Sequence, residues 1–358
     1  MRRRLQNKIA ESTWTLPVAA VFAALWWLLP FAQRWQEPVG LAVCLFTTYV
    51  LMEVNSTNAL LRVRSRMVST LFLMLMTAMA WLHPFNWASV AVACLSLSFN
   101  HLFLTYGQRD AVFPTFYTHL FVSLASFVWP PLLWLSVVLW WNQAVFLRAM
   151  SWRCCWSAFF GLVLPYFFWG CWELSTFSFG SEWVAGPPVS FVTQGAGIIA
   201  PFVGPVKAIQ AGEIPLADVW LNLNQELVDA DRDVRVVFAA HRPWLVAHLY
   251  QLASTAFVLL LGLTGFVHYL RQNYDDRISV RMCHYSFLLM DVVVVMWILL
   301  SPTSWPHLFP LLILLIAPSA AHFFSLTRTG LTNAWFVLCM LLWLLLLLMP
   351  HLLSHLPS

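Results

Sequence analysis

One acidic residue lies deep inside an apolar stretch of the chain, and it is the first candidate for chemistry. Asp291 stands between Met290 and Val292 in a run of aliphatic residues. An ionisable side chain within a membrane-spanning segment marks a functional site by default. Three histidines near the ends of other apolar stretches are potential partners: His101, His268 and His322. An Asp–His pair predicts either a proton relay or a single polar contact that holds helices together.

A second candidate site is the basic connection formed by residues 53–66. It carries Arg62, Arg64 and Arg66 at alternating positions. Guanidinium groups next to a membrane-spanning helix bind anionic lipid headgroups, and they can also hold a phosphate-bearing substrate. The spacing favours headgroup binding by these three arginines.

A third candidate site follows a long polar segment. Arg235, His241 and Arg242 come just before an apolar stretch. Membrane enzymes that polymerise or ligate lipid-linked sugars use arginines and a histidine in this position, to hold a pyrophosphate and to accept a proton. Residues 173–243 nevertheless contain eight acidic and four basic residues, a net charge of −4. The negative electrostatic field of this segment disfavours binding of an anionic lipid carrier.

Other kinds of chemistry lack a sequence signal. The seven cysteines include no CxxC pair, and the adjacent Cys154 and Cys155 would point about 100° apart on a helix. We therefore predict buried, inert thiols, no metal site and no cofactor. The arginines are dispersed among the ends of apolar stretches, so no nucleic-acid partner is expected.

The elements that must position these residues are membrane-spanning helices. Hydrophobic residues make up 61% of the 358 residues and charged residues only 9%, against about 25% charged in a typical soluble domain. A spanning helix needs about 20 mostly apolar residues. The pattern predicts an all-α, polytopic integral membrane bundle of about eleven transmembrane helices. They cover residues 15–32, 38–54, 67–83, 87–105, 112–129, 131–147, 156–173, 245–270, 284–301, 307–325 and 333–353.

The distribution of basic residues predicts an N-in/C-out topology. With eleven spans, only five of the 19 basic residues fall on the outer side: Arg34, Lys207, Arg232, Arg235 and Arg242. Four of those five belong to one long loop, where the positive-inside rule has less force. The chain thus divides into an N-terminal membrane region of about seven helices (1–173), a periplasmic loop (174–243) and a C-terminal membrane region of about four helices (244–358). Within that loop, residues 189–206 are predicted to form a re-entrant or interfacial segment.

Three segments of the chain resemble a known group of proteins. They are residues 4–12, residues 53–69, and Arg281-Met282 together with Asp291. These segments resemble an uncharacterised family of multi-spanning inner-membrane proteins of certain Gram-negative bacteria, to which no activity is assigned. The resemblance implies the bacterial inner (cytoplasmic) membrane as the location. It implies no catalytic residue.

Three functions are compatible with these features. The first is a non-enzymatic component of an envelope assembly or transport process, with the lipid bilayer and other envelope proteins as partners. The second is a polysaccharide polymerase-like or ligase-like enzyme that acts on lipid-linked glycans at the periplasmic face through Arg235, His241 and Arg242. The third is a proton-coupled carrier that uses Asp291 and a histidine. The small number of buried polar residues favours the first.

Overall fold

A computed structural model describes residues 4–28, 36–63, 65–176 and 234–354, and within this part of the chain every regular element is a helix. Twelve α-helices follow one another in the described residues, with short 3₁₀ turns at some of the connections. They are α1 (Leu5–Glu11), α2 (Thr15–Leu28), α3 (Gln36–Asn58), α4 (Met67–Ala78), α5 (Trp87–Leu104), α6 (Val112–Val128), α7 (Leu135–Val145), α8 (Trp152–Thr176), α9 (Val234–Gln272), α10 (Ile278–Leu300), α11 (Trp305–Leu326) and α12 (Gly330–Ser354).

Seven of these helices are long and apolar enough to cross a membrane: α3, α5, α8, α9, α10, α11 and α12. The helices α1 and α2 meet at a 90° bend and together form a further candidate. Several apolar helices therefore make this a membrane protein, as the composition predicts.

The remaining predicted spans coincide with shorter helices. The helix α4 has 12 residues, or about 18 Å at 1.5 Å per residue, well below the ~30 Å of a bilayer core. Between α6 and α7, the adjacent Pro130 and Pro131 open a 3₁₀ turn, Pro130–Trp134, and α7 has only 11 residues. The count of eleven spans and the N-in/C-out topology remain predictions. Residues 189–206 lie outside the described part.

The helix α11 occupies the centre of the bundle. In its most apolar window, 94% of the residues are buried inside the protein. It packs against α1, α4, α5, α9 and α10. Because neighbours cover α11 on all sides, its polar side chains are placed among other helices and away from lipid.

The crossing of α9 and α11 is unusually close, and glycine permits it. A Cβ atom on Gly265 of α9 would lie 2.7 Å from the backbone nitrogen of Ala320 in α11. One turn earlier, a Cβ atom on Gly262 would meet the side chain of Ile316 at 2.7 Å. Small residues at such crossings let helix backbones approach one another in membrane proteins. This contact brings the ends of α9 and α11 together at the site described next.

Candidate functional site

A partly buried ion-pair network joins three separate parts of the fold. Asp276, in the α9–α10 connection, accepts a hydrogen bond from Nε of Arg62 on one carboxylate oxygen. Its other oxygen, Oδ2, lies 3.1 Å from Nε2 of His322 in α11. Arg62 also contacts Asp275 at 3.3 Å through Nη1. We call Arg62, Asp275, Asp276 and His322 the Asp276 cluster.

Local structure explains why Arg62 reaches Asp276. The helix α3 ends at Asn58, and Ala59 then adopts a left-handed conformation with φ of 50°. The side chain of Asn55 donates a hydrogen bond to the carbonyl of Ser65, 2.8 Å away, which closes the loop that carries Arg62. On the opposite side, the 3₁₀ turn Asn273–Asp275 directs Asp276 into the bundle.

The charges within the cluster favour an ionised Asp276. Its side chain is 1% exposed and that of Arg62 is 37% exposed. Burial raises the pKa of Asp276, but hydrogen bonds from His322 and Arg62, together with their charges, lower that pKa below its ordinary value. For Arg62, burial lowers the pKa, and the bonds and attraction to Asp276 and Asp275 raise it by more. The carboxylate and the guanidinium therefore both remain charged near neutral pH.

A cluster of rings surrounds His322, which is itself fully buried. The centroid of its ring lies 5.6 Å from that of His268, 4.9 Å from that of Tyr269 and 5.3 Å from that of His284. Tyr269 and His284 stack on each other at 4.5 Å. Three helices, α9, α10 and α11, thus place one phenol and three imidazoles around a single point, which we call the ring cluster.

The ring cluster contains buried polar atoms that have no hydrogen-bond partner among the described residues. Among the described residues, Nδ1 of His322, Nε2 of His268, Nε2 of His284 and the hydroxyl of Tyr269 have no hydrogen-bond partner. A buried polar atom without a partner costs about 1–3 kcal/mol, so four of them close together call for a functional explanation. Imidazoles in this arrangement can accept, hold and exchange a proton.

The histidines predicted from sequence separate into two places. His268 and His322 lie together in the ring cluster, whereas the ring of His101 packs against Tyr117 and Phe121, with centroids 5.1 and 5.7 Å away. Asp291 is buried, and its Oδ1 has no hydrogen-bond partner among the described residues. The carboxylate bonded to His322 is that of Asp276.

The predicted basic sites also differ in their placement. Arg62 belongs to the Asp276 cluster, and Arg66 is exposed immediately before α4. Arg64 lies outside the described residues. Positions 235, 241 and 242 fall in the first part of α9, but the side chains of Arg235, His241 and Arg242 lie outside the described part. The role of these residues as headgroup ligands or catalytic groups remains a prediction.

Sequence reasoning missed Asp275, Asp276, Tyr269 and His284 as site residues. Asp276 appears in the sequence as one of several charges in a short polar connection, a pattern typical of a solvated loop. Its partners Arg62 and His322 are 214 and 46 residues away. One signal was available: His268, Tyr269 and His284 occur close to that connection on both sides.

No site for a metal is evident in the part of the chain that the structure describes. There, no group of three or more His, Cys, Asp and Glu side chains is arranged to hold a metal ion. All seven cysteines are free thiols, and Cys171 is the exposed one.

Replacing Arg62 with Gln is expected to destabilise the protein by about 1 kcal/mol, because a partly exposed guanidinium is screened by water. The second partner of Asp276, His322, remains in place in this variant. The change in the free energy of unfolding, measured by denaturant titration in mixed micelles, checks this value. A loss as large as that from removing Asp276 would contradict it.

Comparison of the chain with models of protein families, with curated proteins and with solved structures gives no match.

Proposed function

We propose that the chain is a non-enzymatic, multi-pass protein of the bacterial inner membrane that acts in a transport process controlled by a proton bound at His322. The observation that carries the proposal is the buried contact between His322 and Asp276 within the ring cluster. The resemblance of three segments to an inner-membrane family supports the location.

Proton binding changes the strength of the contact between His322 and Asp276. Because the pKa of Asp276 is lowered, its carboxylate stays ionised. The imidazole of His322 contacts that carboxylate through Nε2, and its Nδ1 has no partner among the described residues, so a proton can be placed on this ring. A protonated imidazole converts the hydrogen bond into an ion pair, and charge-assisted bonds are roughly twice as strong as neutral ones. Proton binding therefore fastens α11 to the α9–α10 connection, and proton loss loosens it.

The effect extends to a third element. Asp276 also accepts a hydrogen bond from Arg62, which lies in the connection between α3 and α4. A change in the contact between His322 and Asp276 therefore also changes how firmly that connection is held. The groups that face His322 are His268 and Tyr269 from α9 and His284 from α10, and the charge of Arg281 acts on Tyr269. In the predicted topology, this end of the bundle faces the cytoplasm, which would then supply the proton.

A proton-dependent charge movement tests the proposal. The protein is reconstituted in vesicles of phosphatidylethanolamine and phosphatidylglycerol adsorbed to a solid-supported membrane. The pH is then changed from about 8 to about 6, a range that includes the ordinary pKa of histidine. We expect a transient current in the native protein. His322→Gln, which retains a hydrogen-bond donor to Asp276 but cannot bind a proton, should lose that current.

The matched control is His101→Gln, a histidine that lies outside the ring cluster. This variant should retain the current. Equal currents in the native protein and in His322→Gln would remove the proton-binding role. The alternative enzyme has its own test: unchanged length of surface glycans after replacement of Arg235, His241 and Arg242 would exclude it.

A further inference from the structure

An apolar cleft opens on one side of the bundle, and none of its lining residues belongs to the Asp276 cluster. It encloses about 540 Å³, a volume typical of small-molecule sites. The walls are formed by α2, α4 and α12 through side chains such as Phe22, Leu71, Met74 and Trp343. Nε1 of Trp343 donates a hydrogen bond to the carbonyl of Met74, 2.7 Å away, and so fixes α12 against α4.

The shape of the cleft suits one hydrocarbon chain. On α4, the lining residues run from Met67 to Leu75, or about 12 Å along the helix axis at 1.5 Å per residue. Thr70, a polar residue in this wall, directs its hydroxyl to the carbonyl of Arg66 at 2.9 Å. The wall therefore offers an apolar surface along its length.

The polar lining is concentrated at one end, where α1 crosses the mouth of the cleft. Lys8, Ser12 and Thr15 lie there. The buried side chain of Gln6 holds α1 in place, because its Nε2 donates to the carbonyl of Phe324 at 2.6 Å.

The same end carries an excess of positive charge. Arg4 donates a hydrogen bond to the carbonyl of Arg328, and the hydroxyl of Ser65 donates to the carbonyl of Ala10, which places Arg66 beside α1. Lys8 is exposed and lines the mouth, and three more exposed cations lie on α1 or on the segments bonded to it: Arg4, Arg66 and Arg328. The helix α1 contributes one carboxylate, that of Glu11.

From this combination we propose that the cleft binds one anionic phospholipid of the bilayer, with an acyl chain between α2, α4 and α12 and its phosphate beside Lys8. An apolar cleft in contact with lipid fills with hydrocarbon, and the basic mouth selects the headgroup. This assignment is independent of proton binding at His322, since none of the lining residues belongs to the Asp276 cluster.

Native mass spectrometry of the purified protein tests the assignment with two probes, phosphatidylglycerol and zwitterionic phosphatidylcholine of the same chain length. We expect one phosphatidylglycerol to survive the collision energy that removes all other lipids. Lys8→Gln should lower its affinity about fivefold, the contribution of one cation at an anionic lipid surface, and leave that of phosphatidylcholine unchanged.

A pair of tryptophan variants separates filling of the cleft from a general effect of a bulky residue. Leu71→Trp places a large ring within the cleft and should abolish retention of the lipid. Val21→Trp adds the same ring at an exposed position of α2 outside the lining, 61% exposed, and should retain it. Retention of phosphatidylglycerol by Leu71→Trp, or equal retention of both probes by the native protein, would overturn the proposal.

Discussion

Replacing Asp276 with Asn is expected to destabilise the protein by about 2–3 kcal/mol, because two hydrogen bonds to a buried charged group are weakened. The side chain of Asp276 is 1% exposed and contacts both Arg62 and His322. Asparagine leaves the guanidinium without its buried counter-charge. Because the pair joins three elements of the fold, the α3–α4 connection and α11 should loosen together.

The destabilisation caused by Asp276→Asn should depend on pH in a defined direction. The pKa of Asp276 is lowered from its ordinary value of 3.8, so its stabilising contribution is present above that value and is lost as the pH falls through the lowered pKa. In the His322→Gln background, where no proton binds beside the carboxylate, the difference that Asp276→Asn makes should therefore stay constant at neutral pH and decrease only in strong acid.

Unfolding can be followed with a thiol-reactive dye, since Cys44, Cys154 and Cys283 are buried free thiols that react when the protein opens. Asp275→Asn is the matched control. This neighbouring carboxylate also contacts Arg62, but it is 51% exposed, so its loss should cost less than about 1 kcal/mol. Equal effects of the two substitutions would show that burial of Asp276 does not control stability.

Gly265→Ala is expected to have the next largest effect, a loss of about 1–3 kcal/mol of stability from overpacking. The added methyl group would lie 2.7 Å from the backbone of both Ala320 and Ser319. Backbone atoms cannot rotate away as a flexible side chain can, so α9 must move away from α11. His268 follows Gly265 by one turn and would be displaced from His322.

Gly330→Ala supplies the control for this substitution, because a Cβ atom there meets nothing within 4 Å. It should leave stability within about 0.5 kcal/mol of the native protein. If proton binding is controlled at the ring cluster, Gly265→Ala should also reduce the transient current, and Gly330→Ala should not. Native stability in Gly265→Ala would mean that the close crossing of α9 and α11 is not required.

The positions of the helices follow from hydropathy alone. Each predicted span coincides with a helix, because runs of about 20 apolar residues have few other ways to satisfy their backbone polar groups. The lengths of α4 and α7 did not follow from the same rule. The packing of the helices depends on partners distant in the chain; in α2, for example, Nε1 of Trp27 donates to the carbonyl of His83 at 3.0 Å.

The site was less predictable than the helices. Rules that examine one segment at a time select Asp291, since it interrupts an aliphatic run. They overlook Asp276, whose neighbours in sequence resemble those of any polar loop. The contact of Asp276 with Arg62 exists only after α3, α9 and α11 have packed together, and a single sequence carries no record of that packing.

The central position of α11 has a consequence for how the protein is made. Residues 305–326 emerge from the ribosome after α1 to α10, yet they form the centre against which α4, α5, α9 and α10 pack. The earlier helices must therefore enter the membrane with their inner faces temporarily covered by lipid or by an insertion factor. Arg62 is synthesised before its partners Asp276 and His322, so the Asp276 cluster can form only after α11 has been made. The central helix of the bundle is therefore added late in synthesis, after most of the helices that surround it.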